Sequence, residues 1–179
     1  MSTETVSEKD HRFMSAALGL AKEALDAGEF PVGCVIADGT TVVAKGHRTG
    51  TAGGPGNEID HAEINALRQL HLYMPEIDRA TLTLYGTMEP CLMCFAAIVL
   101  SGIVRIVYAY EDVMGGGTRC DRTGLPMLYR DANLSIRRGV LREESLILFK
   151  RFFGSADNAY WADSLLSRYT LDQPFETQP

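Results

Sequence analysis

Residues 81–110 read TLTLYGTMEPCLMCFAAIVLSGIVRIVYAY and form the centre of the predicted fold. Two β-type runs, 81–85 and 104–110, flank an almost wholly apolar helix that is predicted over 91–101. Pro90 and a Cys-x-x-Cys pair stand at the start of that helix. This stretch therefore predicts a strand, a helix and a strand in succession, with two cysteines at one helix terminus.

The sequence before this stretch predicts two helices and a hairpin. An amphipathic helix over 8–27 has Ser7 as its N-cap. Two β-type runs, 31–36 and 41–45, surround an Asp-Gly turn that is typical of a hairpin. A loop rich in glycine and threonine follows over 47–60, and the second helix begins near His61.

The sequence after residue 110 predicts a long loop over 111–133 with room for a short helix, a last strand over 134–137 and a helix over 142–153. A further short helix is predicted around 159–169. The order α-β-β-α-β-α-β-α-β-α is typical of an α/β fold with one five-stranded sheet between helices, a three-layer α/β/α sandwich. We expect one catalytic domain over 1–153 and a C-terminal helical extension over 154–179 that packs on the same domain.

The composition is typical of one globular domain: 179 residues, 46% of them hydrophobic and 22% charged. No run approaches the roughly 18 apolar residues that a membrane span needs, and the first 13 residues lack the features of a secretory signal. We therefore expect a cytoplasmic protein with no membrane partner. Its four cysteines are too few for a disulfide scaffold, so a Cys-x-x-Cys pair indicates metal binding or redox activity.

One histidine and two cysteines form the candidate metal site. His61 and Cys91 each stand where a helix begins, and Cys94 follows three residues after Cys91. The free N–H groups and the dipole of a helix start favour the thiolate form that a metal needs. Three protein ligands leave a tetrahedral zinc ion with one open position, as in catalytic zinc sites. The predicted cofactor is therefore Zn²⁺, held by His61, Cys91 and Cys94.

Glu63 is the candidate general acid and base. It follows His61 by two residues, which is too close for a convenient fourth ligand on the same helix face. Zinc lowers the pKa of a bound water toward about 7. A carboxylate beside that water can take its proton and deliver it to the substrate.

Other interpretations of these residues stay open at the level of sequence. The Cys-x-x-Cys pair alone fits a redox site, His61 alone a helix cap, and Glu63 alone a solvated helix residue. Cys34 lies in an apolar run and is predicted to be a small core residue. A structural zinc site would need a fourth ligand, and the candidates, none with knuckle-like spacing to the pair, are His47, His71, Cys34 and Cys120.

The two motifs, His61-Ala62-Glu63 and Pro90-Cys91-Leu92-Met93-Cys94, match the H-x-E…P-C-x-x-C signature of zinc nucleobase deaminases. The sequence resembles the cytidine deaminase superfamily over about residues 8–153. Within it, the resemblance is to the branch of bacterial tRNA adenosine deaminases and guanine deaminases, and Phe30-Pro31-Val32-Gly33 also fits. The resemblance implies a mixed sheet whose last two strands are parallel, and a homodimer with partner residues near the active site.

The resemblance says least about which residues of this chain contact the substrate. Many members of the branch carry Asn just after the second strand, where it contacts base or sugar, and this chain has Arg48 at the corresponding place. We predict substrate contacts from Phe30, Arg48 and Ala62. Trp161, the one tryptophan of the chain, is a further candidate because an aromatic ring stacks well on a flat base.

The segment 158–171 carries an apolar stripe at near-helical spacing, composed of Tyr160, Trp161, Leu165, Leu166 and Tyr169. In one interpretation this segment packs across the mouth of the active site, of its own or a partner subunit, and helps to define the substrate. In the other it covers an apolar face of the sheet or a dimer contact.

The charge balance bears on the substrate. A net charge of −6 is unlike that of a protein that grips nucleic acid over a wide surface, although five arginines within twenty residues allow a local basic patch: Arg119, Arg122, Arg130, Arg137 and Arg138. The leading hypothesis is zinc-dependent hydrolytic deamination of a small aminated base, nucleoside or nucleotide, with release of ammonia. The alternatives are deamination of adenosine in tRNA and, in another class, a non-catalytic zinc-binding interaction domain.

Overall fold

The computed structural model describes residues 7–53 and 56–174 of the chain, so the end of the predicted polar tail lies outside the described residues. Its helices and strands follow one another in this order: α1 (Glu8–Asp26), β1 (Gly33–Ala37), β2 (Val42–His47), α2 (Ala62–Tyr73), β3 (Thr83–Met88), α3 (Leu92–Leu100), β4 (Arg105–Tyr110), α4 (Met127–Arg130), β5 (Ser135–Arg137), α5 (Arg142–Phe153) and α6 (Leu165–Asp172).

The five strands form one mixed sheet in the order β2-β1-β3-β4-β5. The predicted hairpin is present, since β1 pairs antiparallel with β2, and β1 also pairs antiparallel with β3. The pairs β3–β4 and β4–β5 are parallel, which confirms the prediction for the last two strands. The carboxyl ends of β3 and β4 therefore meet at one edge of the sheet, together with the start of β1.

Helices cover both faces of this sheet. On one face α1 packs against β1 and β3 and contacts α5, and its apolar side chains meet Val35, Tyr85 and Val107. On the other face α2 packs against β1 and β2 and contacts α3, and the strands present Ile36 and Leu84 to a larger cluster. The three-layer α/β/α sandwich is confirmed.

A close approach between β2 and α2 sets the position of the second helix. A Cβ atom added to Gly46 would lie 2.6 Å from the amide nitrogen of Ala66 and still closer to the carbonyl oxygen of Ala62. Only glycine leaves the backbone of α2 this near to the strand. Because α2 begins directly after His61, this contact also fixes where the His61 side chain stands.

Several predicted boundaries are corrected. The strand predicted over 81–85 is β3, Thr83–Met88, because a 3₁₀ turn at Arg79–Thr81, capped by the Asp78 carboxylate, occupies its predicted start. The helix predicted around 159–169 begins only at Leu165, where the Ser164 hydroxyl accepts a hydrogen bond from Ser167 N. Residues 158–164 form turns instead. Among the described residues, none of the helices is long and apolar enough to span a membrane.

Candidate active site

Two helix starts bring the predicted metal ligands together. His61 is the N-cap residue of α2 and Cys91 that of α3, and neither side chain makes a capping hydrogen bond. His61 Nδ1 lies 3.6 Å from Cys91 Sγ and 3.5 Å from Cys94 Sγ. The three donor atoms lie within 4.8 Å of one another. The structure therefore leaves all three donors available to one ion.

The spacing of these atoms fits a tetrahedral zinc ion. Bond lengths of about 2.05 Å to nitrogen and about 2.3 Å to sulfur, at tetrahedral angles, place N and S about 3.5 Å apart. The two N–S distances in the structure agree with this value. Among the described residues, the cluster of potential ligands consists of these three alone, and none of the candidate fourth ligands belongs to it. The donor set is that of an open site.

The loop after β4 holds the turn that carries Cys91. Gly117 N donates to Pro90 O at 2.8 Å and Leu92 N donates to Gly115 O at 3.3 Å. The buried Glu89 side chain accepts hydrogen bonds from Asp112 N and from the Thr118 hydroxyl. Hydrogen bonds from the loop predicted over 111–133 thus fix the turn that carries Cys91.

Glu63 lies beside the three ligands in the first turn of α2. Its side chain is only 3% exposed, and Cys94 Sγ donates to its Oε2 at 3.5 Å. Burial and the neighbouring Cys91 charge raise the pKa of Glu63 above its ordinary value. A hydrogen bond from Cys94, joined by one from His61, lowers the pKa of Cys91 to about 4, so that this sulfur is a thiolate at neutral pH.

A small cavity of about 80 Å³ opens beside this cluster. It contains all the predicted substrate-binding residues in its wall: Phe30, Arg48, Ala62 and Trp161. His61, Glu63 and Cys91 line the same cavity, whereas Cys34 is fully buried elsewhere in the core, as expected. The residues that the sequence analysis selected from distant segments therefore meet at one place.

Three polar residues of the wall, namely Glu89, Asp112 and Tyr160, were not predicted from the sequence as substrate contacts. Glu89 and Asp112 follow β3 and β4 by one and two residues, and the carboxyl ends of neighbouring parallel strands meet at the same edge of a sheet. The parallel pairing of β3 with β4 would have been enough to predict that Glu89 and Asp112 lie close together. Burial and the nearby Glu89 raise the pKa of Asp112. Tyr160 carried no such signal beyond its place in the apolar stripe.

The two interpretations of segment 158–171 apply to different parts of it. Tyr160 and Trp161 stack on each other, with ring centroids 5.2 Å apart and planes 8° from parallel, and both line the cavity. Trp161 has a φ of +51°, a left-handed conformation that a bulky residue seldom adopts. Leu166 is fully buried, and the Thr170 hydroxyl lies 3.1 Å from that of Tyr110, so α6 belongs to the core.

An α/β/α sandwich with one histidine, two cysteines and a buried glutamate at two helix starts is the arrangement of the nucleobase deaminases. The comparison with known proteins agrees: residues 7–110 match the zinc-binding region of cytidine and deoxycytidylate deaminases. The chain belongs to this deaminase family.

Relatives and solved structures extend the match over most of the chain. The tRNA-specific adenosine deaminase of Buchnera aphidicola is 32% identical over 146 residues, which cover 82% of this chain and 89% of that protein. A structure of a deaminase that acts on A34 of tRNA has a TM-score of 0.63 at 28% identity and covers 76% of this chain and 98% of its own. The guanine deaminase of Nitrosomonas europaea shares the fold, with a TM-score of 0.65 at 20% identity over 79% of this chain and 83% of its own.

Proposed function

We propose that the protein is a zinc-dependent hydrolase that removes an exocyclic amino group from a small nucleobase-type ring and releases ammonia. The observation that carries the proposal is the cluster of His61, Cys91 and Cys94 beside the buried Glu63 carboxylate. His61, Cys91 and Glu63 line one cavity. A non-catalytic zinc domain, the alternative of another class, has no use for a buried carboxylate with a raised pKa beside three ligands.

His61, Cys91 and Cys94 would hold the zinc ion, which supplies an acidified water as nucleophile when it is bound. Glu63 accepts a proton from water as the oxygen forms its bond to the ring carbon, and it delivers that proton to the ring nitrogen. It then takes the second proton of the attacking oxygen and delivers it to the amino group, whose bond to carbon breaks. The products are ammonia and the ring with a carbonyl in place of the amine. The raised pKa of Glu63 suits a group that must both take and give a proton.

The apolar part of the cavity wall suits a flat ring. Phe30 and Met88 are buried there, and the stacked pair of Tyr160 and Trp161 closes the same space. Aromatic side chains hold a planar base by stacking on its face. We therefore assign Phe30, Ala62 and Trp161 to the binding of the ring, together with Arg48.

The charge near the cavity favours a small molecule over a nucleic acid. The cavity of about 80 Å³ suits one ring system, whether the ring is free or is a flipped base. The groove that adjoins it, with which it shares Tyr160 and Trp161, is lined by more acids than bases: Asp26, Glu58 and Asp157 against Arg151. An acidic groove repels phosphates.

Deamination of adenosine in tRNA is the second candidate, because relatives over four fifths of the chain carry that name. The local arginine cluster would be its contact surface. Three of these side chains already engage groups of the chain itself: Arg119 pairs with Glu89, Arg122 donates to Ala132 O and Arg130 pairs with Asp131. This engagement favours the small substrate as the first choice.

We further propose that the chain consists of a catalytic domain over 1–153 and an extension over 154–179. Two such chains form a homodimer, and the protein acts in the cytoplasm. The helix α3 leaves Leu92 and Leu100 more than half exposed, and apolar side chains on one helix surface are typical of a protein interface. All four cysteines are free, which suits a reducing compartment. Light scattering of the zinc-loaded protein tests the homodimer directly, and a monomeric mass at all concentrations would contradict it.

The experiment that tests the function is an ammonia-release screen of zinc-loaded protein. The panel contains guanine, adenine and cytosine, their nucleosides and nucleotides, and a tRNA transcript with adenosine at the first anticodon position. We expect release from at least one small ring, and far less from the Glu63→Gln variant. Release from the tRNA alone would replace the first candidate with the second.

A further inference from the structure

Arg48 is a buried cation with one arm of its guanidinium group left unpaired. The residue is 2% exposed. Its Nη2 donates to Glu58 Oε2 at 2.9 Å and to the Tyr160 hydroxyl at 3.3 Å. Its Nη1 is buried as well, and no acceptor in 7–53 or 56–174 receives a hydrogen bond from it. A buried charged donor without an acceptor is costly, so such a group indicates a partner that comes from outside the chain.

The residue that carries this unpaired nitrogen belongs to the wall of the active-site cavity. Arg48 lines this cavity together with His61 and Glu63. Its backbone is fixed at the end of β2, where Arg48 N donates to Val32 O at 2.8 Å. Tyr160 also donates to Glu58 Oε2 at 2.9 Å. Arg48 Nη2 is therefore held by Glu58 and Tyr160, which are hydrogen-bonded to each other. Arg48 is thus held in the cavity wall with one donor group unpaired.

We propose that Arg48 selects the substrate by donating from Nη1 to a carbonyl oxygen on the ring. The preferred substrate is then an aminated ring that also carries an oxo group, rather than an aminated ring without one. This inference rests on the proposed deaminase function and deepens it. A guanidinium stays charged at all relevant pH values and donates only, so its partner in the substrate must be an acceptor.

The composition of the cavity favours a carbonyl over a phosphate or carboxylate. Glu63 and Asp112 stand in the same wall, and their carboxyl groups disfavour a full negative charge in so small a space. Apart from Arg48, the lining residues with basic side chains are limited to His61, which the zinc would use. A neutral ring oxygen therefore fits the free arm of Arg48 better than an anion does.

The test uses pairs of rings that differ in the oxo group while the amino group stays at the same carbon. Guanine is compared with 2-aminopurine, and cytosine with 4-aminopyrimidine. Binding is followed by the fluorescence of Trp161, the one tryptophan of the chain, and turnover by ammonia release. We expect the oxo ring of at least one pair to bind and react about 100-fold better, because a site built to donate to an acceptor rejects the analogue that lacks it.

Substitution of Arg48 then separates recognition from structure. Arg48→Met removes the donor at similar length, and we expect the preference for the oxo ring to fall below about tenfold, mainly through a rise in KM. Arg48→Lys keeps the charge and should retain part of the preference. Glu58→Gln, the control, loosens the occupied arm but leaves Nη1, so its preference should persist. Zinc content and circular dichroism confirm that each variant is folded.

Two outcomes would overturn the proposal. One is a wild-type protein that binds and turns over both members of each pair equally, or that prefers the rings without oxygen. The other is a folded Arg48→Met or Arg48→Lys variant that keeps the full preference of the wild type. If no ring is deaminated at all, the proposed function fails. The fluorescence titration alone then decides whether Arg48 favours the binding of rings that carry an oxo group.

Discussion

His61 and Cys91 owe the placement of their side chains to their positions at the starts of two helices. Each is the residue just before a helix, so its side chain projects from a fixed backbone next to unpaired N–H groups. The motif spacing alone was enough to predict that these two residues, Cys94 and Glu63 would lie together. Sequence did not predict Glu89 and Asp112 beside them, because their proximity depends on the parallel pairing of β3 with β4.

Removal of one thiolate tests the metal site. Cys91→Ala leaves two ligands, so we expect zinc to fall from about one ion per chain to a small fraction of that. Cys120→Ala is the matched control, since Cys120 is exposed and lies outside the ligand cluster. Elemental analysis after dialysis measures both variants. Full zinc retention in Cys91→Ala would contradict the assignment.

Replacement of the proposed proton carrier separates chemistry from metal binding. Glu63→Gln keeps the size of the side chain but cannot carry the proton, so turnover should fall by a factor on the order of 10²–10⁴ with zinc retained. The same exchange at the exposed Glu76 is the control and should leave turnover unchanged. Loss of zinc from Glu63→Gln would instead make Glu63 a ligand.

At the scale of elements, the packing of α2 on β2 depends on the absence of one side chain. Gly46→Ala would push on the first turn of α2, and overpacking of this kind costs about 1–3 kcal/mol. We expect lower stability in urea and weaker zinc binding, since His61 moves with the helix. Gly19→Ala is the control: that glycine lies inside α1 with no atom within 4 Å of an added Cβ, so alanine should be neutral or stabilising there. Equal behaviour of the two variants would refute the account of Gly46.

The C-terminal segment divides into a packing part and a cavity part, and two substitutions separate them. Leu166→Ala deletes a fully buried side chain and should cost about 2–5 kcal/mol in unfolding free energy without changing substrate preference. Trp161→Ala should leave stability nearly unchanged and raise KM, because the ring is partly exposed and lines the cavity. An unchanged KM in Trp161→Ala would show that the segment serves packing alone.

Sequence patterns predicted which helices and strands are present better than they predicted the residues at which each begins and ends. The hydrophobic run 104–110 contains β4 almost entirely, because a strand in the centre of a sheet is buried on both faces. The turn at 158–164 was predicted as helix because Tyr160 and Trp161 continue the helical spacing of the residues that follow. Their positions are decided instead by ring stacking and by the bond from Tyr160 to Glu58, which lies 102 residues away in sequence.

At the scale of the whole molecule, one buried ion pair ties α1 to the sheet. Asp10 accepts hydrogen bonds from Arg105 in β4 and from the Tyr85 hydroxyl in β3. Burial alone would raise the pKa of Asp10, but these bonds outweigh it and the pKa is lowered. A depressed carboxyl pKa contributes stability that is present above the unfolded value near 3.9 and is lost as pH falls through the folded value.

This ion pair predicts a pH-dependent difference in stability. Asp10→Asn should lose about 1–3 kcal/mol at pH 7, because Arg105 and Tyr85 lose a charged acceptor. The difference from the wild type should narrow as pH falls below about 4, because Asp10 is then protonated first in the unfolded chain and, below its lowered pKa, in the folded protein. Urea unfolding at a series of pH values measures it, and a difference that stays constant down to pH 2.5 would contradict the assignment.

The central claim is that the His–Cys–Cys site and Glu63 carry out hydrolysis of a C–N bond on a small ring. Turnover in water enriched in ¹⁸O measures this most directly, with ammonia and the mass of the ring product determined in the same sample. The account predicts one ¹⁸O atom in each product ring, one ammonia per product, and loss of both signals in Glu63→Gln. Ammonia release without the oxygen label, or labelled product at an undiminished rate in Glu63→Gln, would contradict it.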